Sequence, residues 1–217
     1  MLAAVVMAVF AASGCARSDK GAVFDPDQSS IFVKKDGSVL SASVEHSDQN
    51  YYSEEELKSF MEGRLSEFNA AQGKESAAYN KEGAEKLPAA IVSCKVEGAD
   101  GAKTVKSIVE YSSPEMLLAL AGEIRDGEVK LAALATDSVE NRLAVGDLVG
   151  STFLDAKGNS VESGKITSQS KLRVVSSQGP ALIQTEGKVL YRSEGCTLVD
   201  EYTVQTPEEG SSFIIFK

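Results

Sequence analysis

The chain has 217 residues, 42% hydrophobic and 25% charged, the balance of an ordinary globular domain. Its formal net charge of −10 excludes nucleic acid as a partner, because that binding is driven by counterions displaced by Lys and Arg. The same acidity excludes an electrostatic contact with anionic lipid.

Residues 1–14, MLAAVVMAVFAASG, carry no charge. A membrane-spanning helix needs about 20 apolar residues, whereas a signal peptide core needs about 7–15, so the run predicts a signal peptide. It ends in Ala12-Ser13-Gly14-Cys15, small residues that a signal peptidase can bind as an extended strand. The pattern resembles the lipobox of bacterial lipoproteins. That resemblance implies diacylglyceryl transfer to the Cys15 sulfur and cleavage between Gly14 and Cys15. Ala12 departs from the usual leucine, and no Lys or Arg precedes the apolar run, so the native start is expected a few codons upstream. The plainer alternative, a buried apolar helix with an incidental cysteine, is opposed by the polar run Arg17-Ser18-Asp19-Lys20. Two acyl chains form a stable anchor where one does not. Membrane contact through the lipid on Cys15 is therefore expected, with residues 15–29 as a flexible tether of about 20 Å.

Residues 30–217 are expected to form one extracytoplasmic α+β domain, with a division into lobes 30–135 and 147–217 left open. Residues 30–45 read as a hairpin about Asp36-Gly37, where glycine accepts positive φ. Leu40, Ala42 and Val44 alternate with Ser41, Ser43 and Glu45, so the first set predicts the buried face. Residues 53–69 predict one long amphipathic helix: Ser53 and Glu56 match a capping box, and Leu57, Phe60, Met61, Leu65 and Phe68 fall on one stripe. Residues 70–88 read as a long loop or weak helix. Residues 89–97 and 103–111 predict a second hairpin, with Val92, Cys94 and Val96 facing inward on its first strand. Ser113-Pro114 opens a short helix to about residue 121, and 128–135 reads as a strand.

The C-terminal third is rich in Gly, Ser, Thr and Val without helical period. Strands are expected at 150–155, 160–167, 171–176, 181–184, 188–192, 197–199 and 212–216, packed as an antiparallel sheet or small barrel. The expected fold is thus α+β, antiparallel sheets with one long and one short helix and a β-rich C-terminal third.

Candidate chemistry is sparse. The segment 158–166 has five residues between its glycines and Ile166 after Lys165, so it fails as a phosphate loop and reads as a hairpin turn. Ser168 to Lys171 matches Ser-x-x-Lys but lacks its companion motifs. His46, the only histidine, could activate Cys94 only if the fold joined them, and a surface position is the plainer expectation. Asp25, Asp27 and Ser29 start like a calcium loop, but Ser30 stands where its glycine is needed. Cys94 and Cys196 could pair outside the cytoplasm or lie apart as small buried side chains. Tyr51-Tyr52 reads either as an exposed binding pair or as a staple, Tyr52 on Leu57. No catalytic, cofactor-binding or metal residue is assigned. Lipidation at Cys15 is the one site.

The stretch from Asn50 to Phe60, Glu67-Phe68-Asn69, Gly187 to Tyr191 and Phe213 to Lys217 resemble small uncharacterised lipoproteins of clostridial-type (Gram-positive) bacteria. The resemblance implies an envelope lipoprotein on the outer face of the cell membrane and supplies no activity. Three function classes follow. The first is a non-enzymatic module that binds an unknown envelope protein or glycan. The second is a small-ligand carrier or transporter accessory, binding within a sheet–helix cleft. The third is an enzyme with an unrecognised site.

Overall fold

The computed structural model describes residues 22–48, 53–146 and 148–217. Cys15, the apolar leader and Tyr51-Tyr52 lie outside them. The described chain is a strand-rich α+β fold with two sheets and four helices. Its first strands are β1 (Ser30–Val33) and β2 (Val39–Ser47), joined by the expected Asp36-Gly37 turn, with Gly37 at φ 93°. Helix α1 (Glu54–Ala71) follows, then the hairpin β3 (Ala89–Ala99) and β4 (Ala102–Tyr111), helix α2 (Pro114–Ile124) and strand β5 (Ala133–Ser138). The remainder is α3 (Val139–Ala144), β6 (Phe153–Asp155), β7 (Ser160–Val161), α4 (Ser163–Thr167) and β8 (Arg173–Gln178). Strands β9 (Leu182–Thr185), β10 (Val189–Ser193), β11 (Thr197–Leu198), β12 (Thr203–Gln205) and β13 (Ser211–Phe216) complete it.

The first sheet has the order β11-β12-β9-β1-β2-β4-β3 and the second β5-β8-β13-β10-β6-β7. Both draw on both halves of the chain, so residues 30–135 and 147–217 do not separate into two bodies. From β8 onward the backbone alternates between sheets, β9, β11 and β12 joining the first, β10 and β13 the second. All pairings are antiparallel except β1 with β9, Ile31 beside Ile183, a parallel contact that corrects the purely antiparallel expectation.

The layers follow from strand alternation. Ile31, Val33, Val39, Val109 and Tyr111 on the inner face of the first sheet meet Val175, Ile214 and Phe216 of the second in the main core. The far face of the second sheet carries Phe153, Val174, Phe213 and Ile215, which α3 and α4 close with Val139 and Ile166. Neither helix was expected: residues 160–167 read as strand, yet only Ser160–Val161 are extended. In this segment α4 buries one residue, Ile166, too little to write a helical period. The hairpin turn expected at 158–166 lies earlier, at residues 156–159 between β6 and β7, with the Asp155 carboxylate accepting from Lys157 and Asn159 amides at 2.8 and 2.9 Å, and most of 158–166 is β7 and α4.

Three expectations in the first half are corrected. Val92 is an extra residue in β3: the register slips between Ile91 and Ser93, leaving Val92 exposed at 53%. The bulge puts Cys94 opposite Ser107, on the inner face. Along α1 the apolar stripe is buried only towards its end, at Leu65 and Phe68, whereas Phe60 is 65% exposed. Finally, residues 22–29, placed in the flexible tether, include a segment that packs on the first sheet's outer face. Phe24 stacks on Phe32 at 5.2 Å, Ala22 donates to the Glu186 carbonyl at 3.0 Å, and Lys106 pairs with Asp25 at 3.0 Å.

Beyond the β1–β2 turn lies an ion network. Glu110 takes Lys34 at 2.6 Å and Lys86 at 3.2 Å, and Lys86 reaches Asp36 at 3.1 Å. Partial burial would raise the Asp36 pKa, but the Ser38 hydroxyl and amide and the Lys86 ammonium outweigh it and hold the carboxyl at about 2, from 3.8. Glu110 is lowered likewise: burial opposes, Lys34 and Lys86 prevail. A folded pKa below the unfolded one gives stability that is complete above the unfolded value and lost as pH falls through the folded one. Urea midpoints measured between about pH 5 and about pH 2 should therefore fall, and Asp36→Asn should flatten the lower part of that curve.

Candidate functional site

A cleft of about 300 Å³ lies between α1 and α2, above the inner face of β2 and β4. Its origin is local. Helix α1 is started by Ser53, whose hydroxyl accepts from the Glu56 amide at 3.3 Å as expected. Its N-terminal end is tied to the edge of the sheet by Glu54, which takes the Val96 amide at 3.1 Å. Its C-terminal end is pinned by Asn69, fully buried, which donates to the carbonyls of Ala77 and Ala89 at 2.7 Å each and accepts from the Ala89 amide at 2.9 Å. Helix α2 is set by Pro114 at its start, and it ends at Arg125, held left-handed at φ 54°. No Ser113 side-chain cap forms. The two helices sit apart and leave the middle of the sheet face uncovered.

Leu57, Phe60 and Met61 of α1 make one wall, Leu120 and Ile124 of α2 the other. The floor is unusual. Ser41 stands opposite Val109 and Ser43 opposite Ser107, so three serines occupy the sheet face that the helices overhang. The sequence had assigned these serines of β2 to solvent and Leu40, Ala42 to the core. Leu40 and Ala42 do pack beside Phe32 and Ile108 under the docked N-terminal segment, while on the other face Ser41 is half-buried and Ser43 exposed. At the end of the floor lies Tyr111, 7% exposed. Among the described residues no side chain hydrogen-bonds its hydroxyl or those of Ser41, Ser43 and Ser107. Burial, and after it the nearby Asp126 carboxylate, push the phenol pKa well up, so it is a neutral donor.

Two charged residues line the cleft, Arg64 and Asp126. Arg64 is drawn towards Glu67 at 3.3 Å and Glu123 at 4.0 Å. No ion pair involving Asp126 is found among the described residues, though its carboxylate accepts from the Glu128 amide at 2.9 Å. The cleft therefore offers apolar walls, hydroxyls that no side chain partners, and one carboxylate, Asp126, in no ion pair among the described residues.

The other sequence candidates do not assemble. His46 bonds Thr104 at 3.1 Å on the outer face of the sheet, whereas Cys94 opposite Ser107 faces inward, so no dyad exists. Cys94 and Cys196 are both free thiols: Cys196 is buried against Ser193 at 3.4 Å, and burial raises the Cys94 pKa. Asp25 serves Lys106, and Ser168 to Lys171 lies in the turn after α4, away from any helix start. No described helix is long and apolar enough to cross a membrane. No protein-family model, curated protein or solved structure matches this chain.

Proposed function

We propose that the chain is a membrane-anchored extracytoplasmic lipoprotein, tethered through Cys15, that binds without catalysing and does so in the cleft between α1 and α2. The observation that carries the binding reading is the floor: the hydroxyl of Tyr111, a residue 7% exposed, and those of the half-buried Ser41 and Ser107 have no side-chain partner among the described residues and are free to meet a ligand. The anchoring reading rests on the Ala12-Ser13-Gly14-Cys15 pattern. The first partner class is an envelope protein or glycan. The small-ligand carrier is the second, and the cleft favours it, because about 300 Å³ is the lower end of small-molecule sites. The N-terminal segment runs over the outer face of the first sheet and the cleft opens on the inner face, an arrangement that suits a site turned away from the anchoring surface.

The anchoring test is metabolic labelling with a radioactive fatty acid. Wild type should carry label and sediment with membranes. Cys15→Ser should lose both while the domain keeps its fold by circular dichroism. Label retained in Cys15→Ser would end the lipoprotein reading.

A further inference from the structure

We propose that the ligand of the cleft is an amphipathic amine, its apolar body lying between α1 and α2 and its cationic head at Asp126. This rests on the reading of the cleft as a ligand site and names the class of ligand.

Three observations converge on that end of the cleft. The first is charge. Arg64 and Asp126 are the charged residues of the cleft lining, and Arg64 is already drawn to Glu67 and Glu123 beside it. The guanidinium is thus engaged away from an anionic head, whereas a cation finds at Asp126 a carboxylate in no ion pair among the described residues. The second is shape. A recess of about 60 Å³ adjoins the cleft, sharing Ser41, Ser43 and Asp126 with it and adding Glu128 and Lys130, both exposed. That is room for a compact head group beyond a longer apolar body. The third is hydrogen bonding. Tyr111 is more than nine-tenths buried, its hydroxyl lines the cleft without a partner among the described residues, and it lies within electrostatic reach of Asp126. An ammonium brings several donors and no acceptor, and hydroxyl and carboxylate oxygens are what it needs. The walls of Leu57, Phe60, Met61 and Leu120 are apolar, and among them the unbranched Met61 can follow the contour of an aliphatic chain.

The test is a head-group series at constant chain length, octylammonium, 1-octanol and octanoate, titrated calorimetrically into the full chain near neutral pH and low salt. Octylammonium should bind about tenfold or more tightly than octanol, the size of one charge-assisted contact, and octanoate weakest. Asp126→Asn should bring octylammonium down to octanol and leave octanol unchanged. Tyr111→Phe should weaken octylammonium severalfold with no loss of thermal stability, since no protein group uses that hydroxyl. Octanol or octanoate binding as tightly as the amine, or an unchanged amine affinity in Asp126→Asn, overturns the amine and leaves the cleft standing. Ile124→Trp, at a half-exposed wall position, should weaken all three. Binding of all three undiminished in that variant, or no binding of any probe to wild type, overturns the cleft reading as well.

Discussion

Replacing Asn69 by leucine should destabilise the domain by about 3–5 kcal/mol, read as a shift in urea midpoint with unchanged slope. The side chain is fully buried and makes three hydrogen bonds of 2.7, 2.7 and 2.9 Å, all to backbone. Leucine is close in shape, so packing is nearly conserved, but the Ala77 carbonyl and both backbone groups of Ala89 lose their partner. Each stranded group costs about 1–3 kcal/mol, and partial relaxation keeps the sum below the upper limit. Asn69→Asp should be no milder, because a carboxylate keeps the acceptor, lacks both donors and adds a buried charge. The same substitution frees the C-terminal end of α1, so proteolysis within residues 70–88 should accelerate with it. A stability loss below about 1 kcal/mol would show that α1 is held by Phe68 and Leu65 alone.

Gly179→Ala should cost about 3 kcal/mol or more. This glycine links β8 in the second sheet to β9 in the first, at φ 104°, where L side chains are strained. A methyl group there would lie 2.5 Å from the Lys130 carbonyl, which is backbone and cannot turn aside as a side chain would. The site has no slack on its other side. Thr206, 2% exposed, donates to the Gly179 carbonyl and accepts from the Ala181 amide, both at 2.8 Å. Moving the glycine would therefore disturb a buried clasp as well as the crossover. Thermal unfolding should show a lower midpoint for Gly179→Ala, with Thr206→Ala lowering it by a smaller amount and the double variant less than additive.

The strands and the best helix were legible because each carries its own signal. Asp36-Gly37 writes a turn, Ser53 and Glu56 write a helix start, and residues 213–216 are continuously apolar because both faces of that strand are buried. What failed to show was anything set by partners distant in sequence. The bulge at Val92 shifts the inward face by one residue, and no composition rule marks it. Helices α3 and α4 are too short to write a period. The parallel pairing of β1 with β9 joins segments about 150 residues apart and leaves no local trace. The cleft was hidden for a related reason. Serines at 41, 43 and 107 follow the polar–apolar alternation of a half-exposed strand, and only the overhang of α1 and α2 turns a solvent face into a floor. A local rule broken in a folded chain is where function is to be sought.

The interleaving of the two sheets bears on how the chain acquires its structure in time. Strand β1 sits in the middle of the first sheet between β2 and β9, so its second neighbour is missing until residues 182–185 are present. The second sheet has the same dependence at its centre, where β13, the last strand of all, separates β8 from β10. A chain delivered from its N-terminal end can thus form the hairpins and α1 early, but the first sheet stays incomplete until β12 and the second until β13, the final strand. Such long-range closure slows folding and prolongs the unfolded interval. During that interval the exposed strand edges would be open to any chaperone or partner chain that meets them.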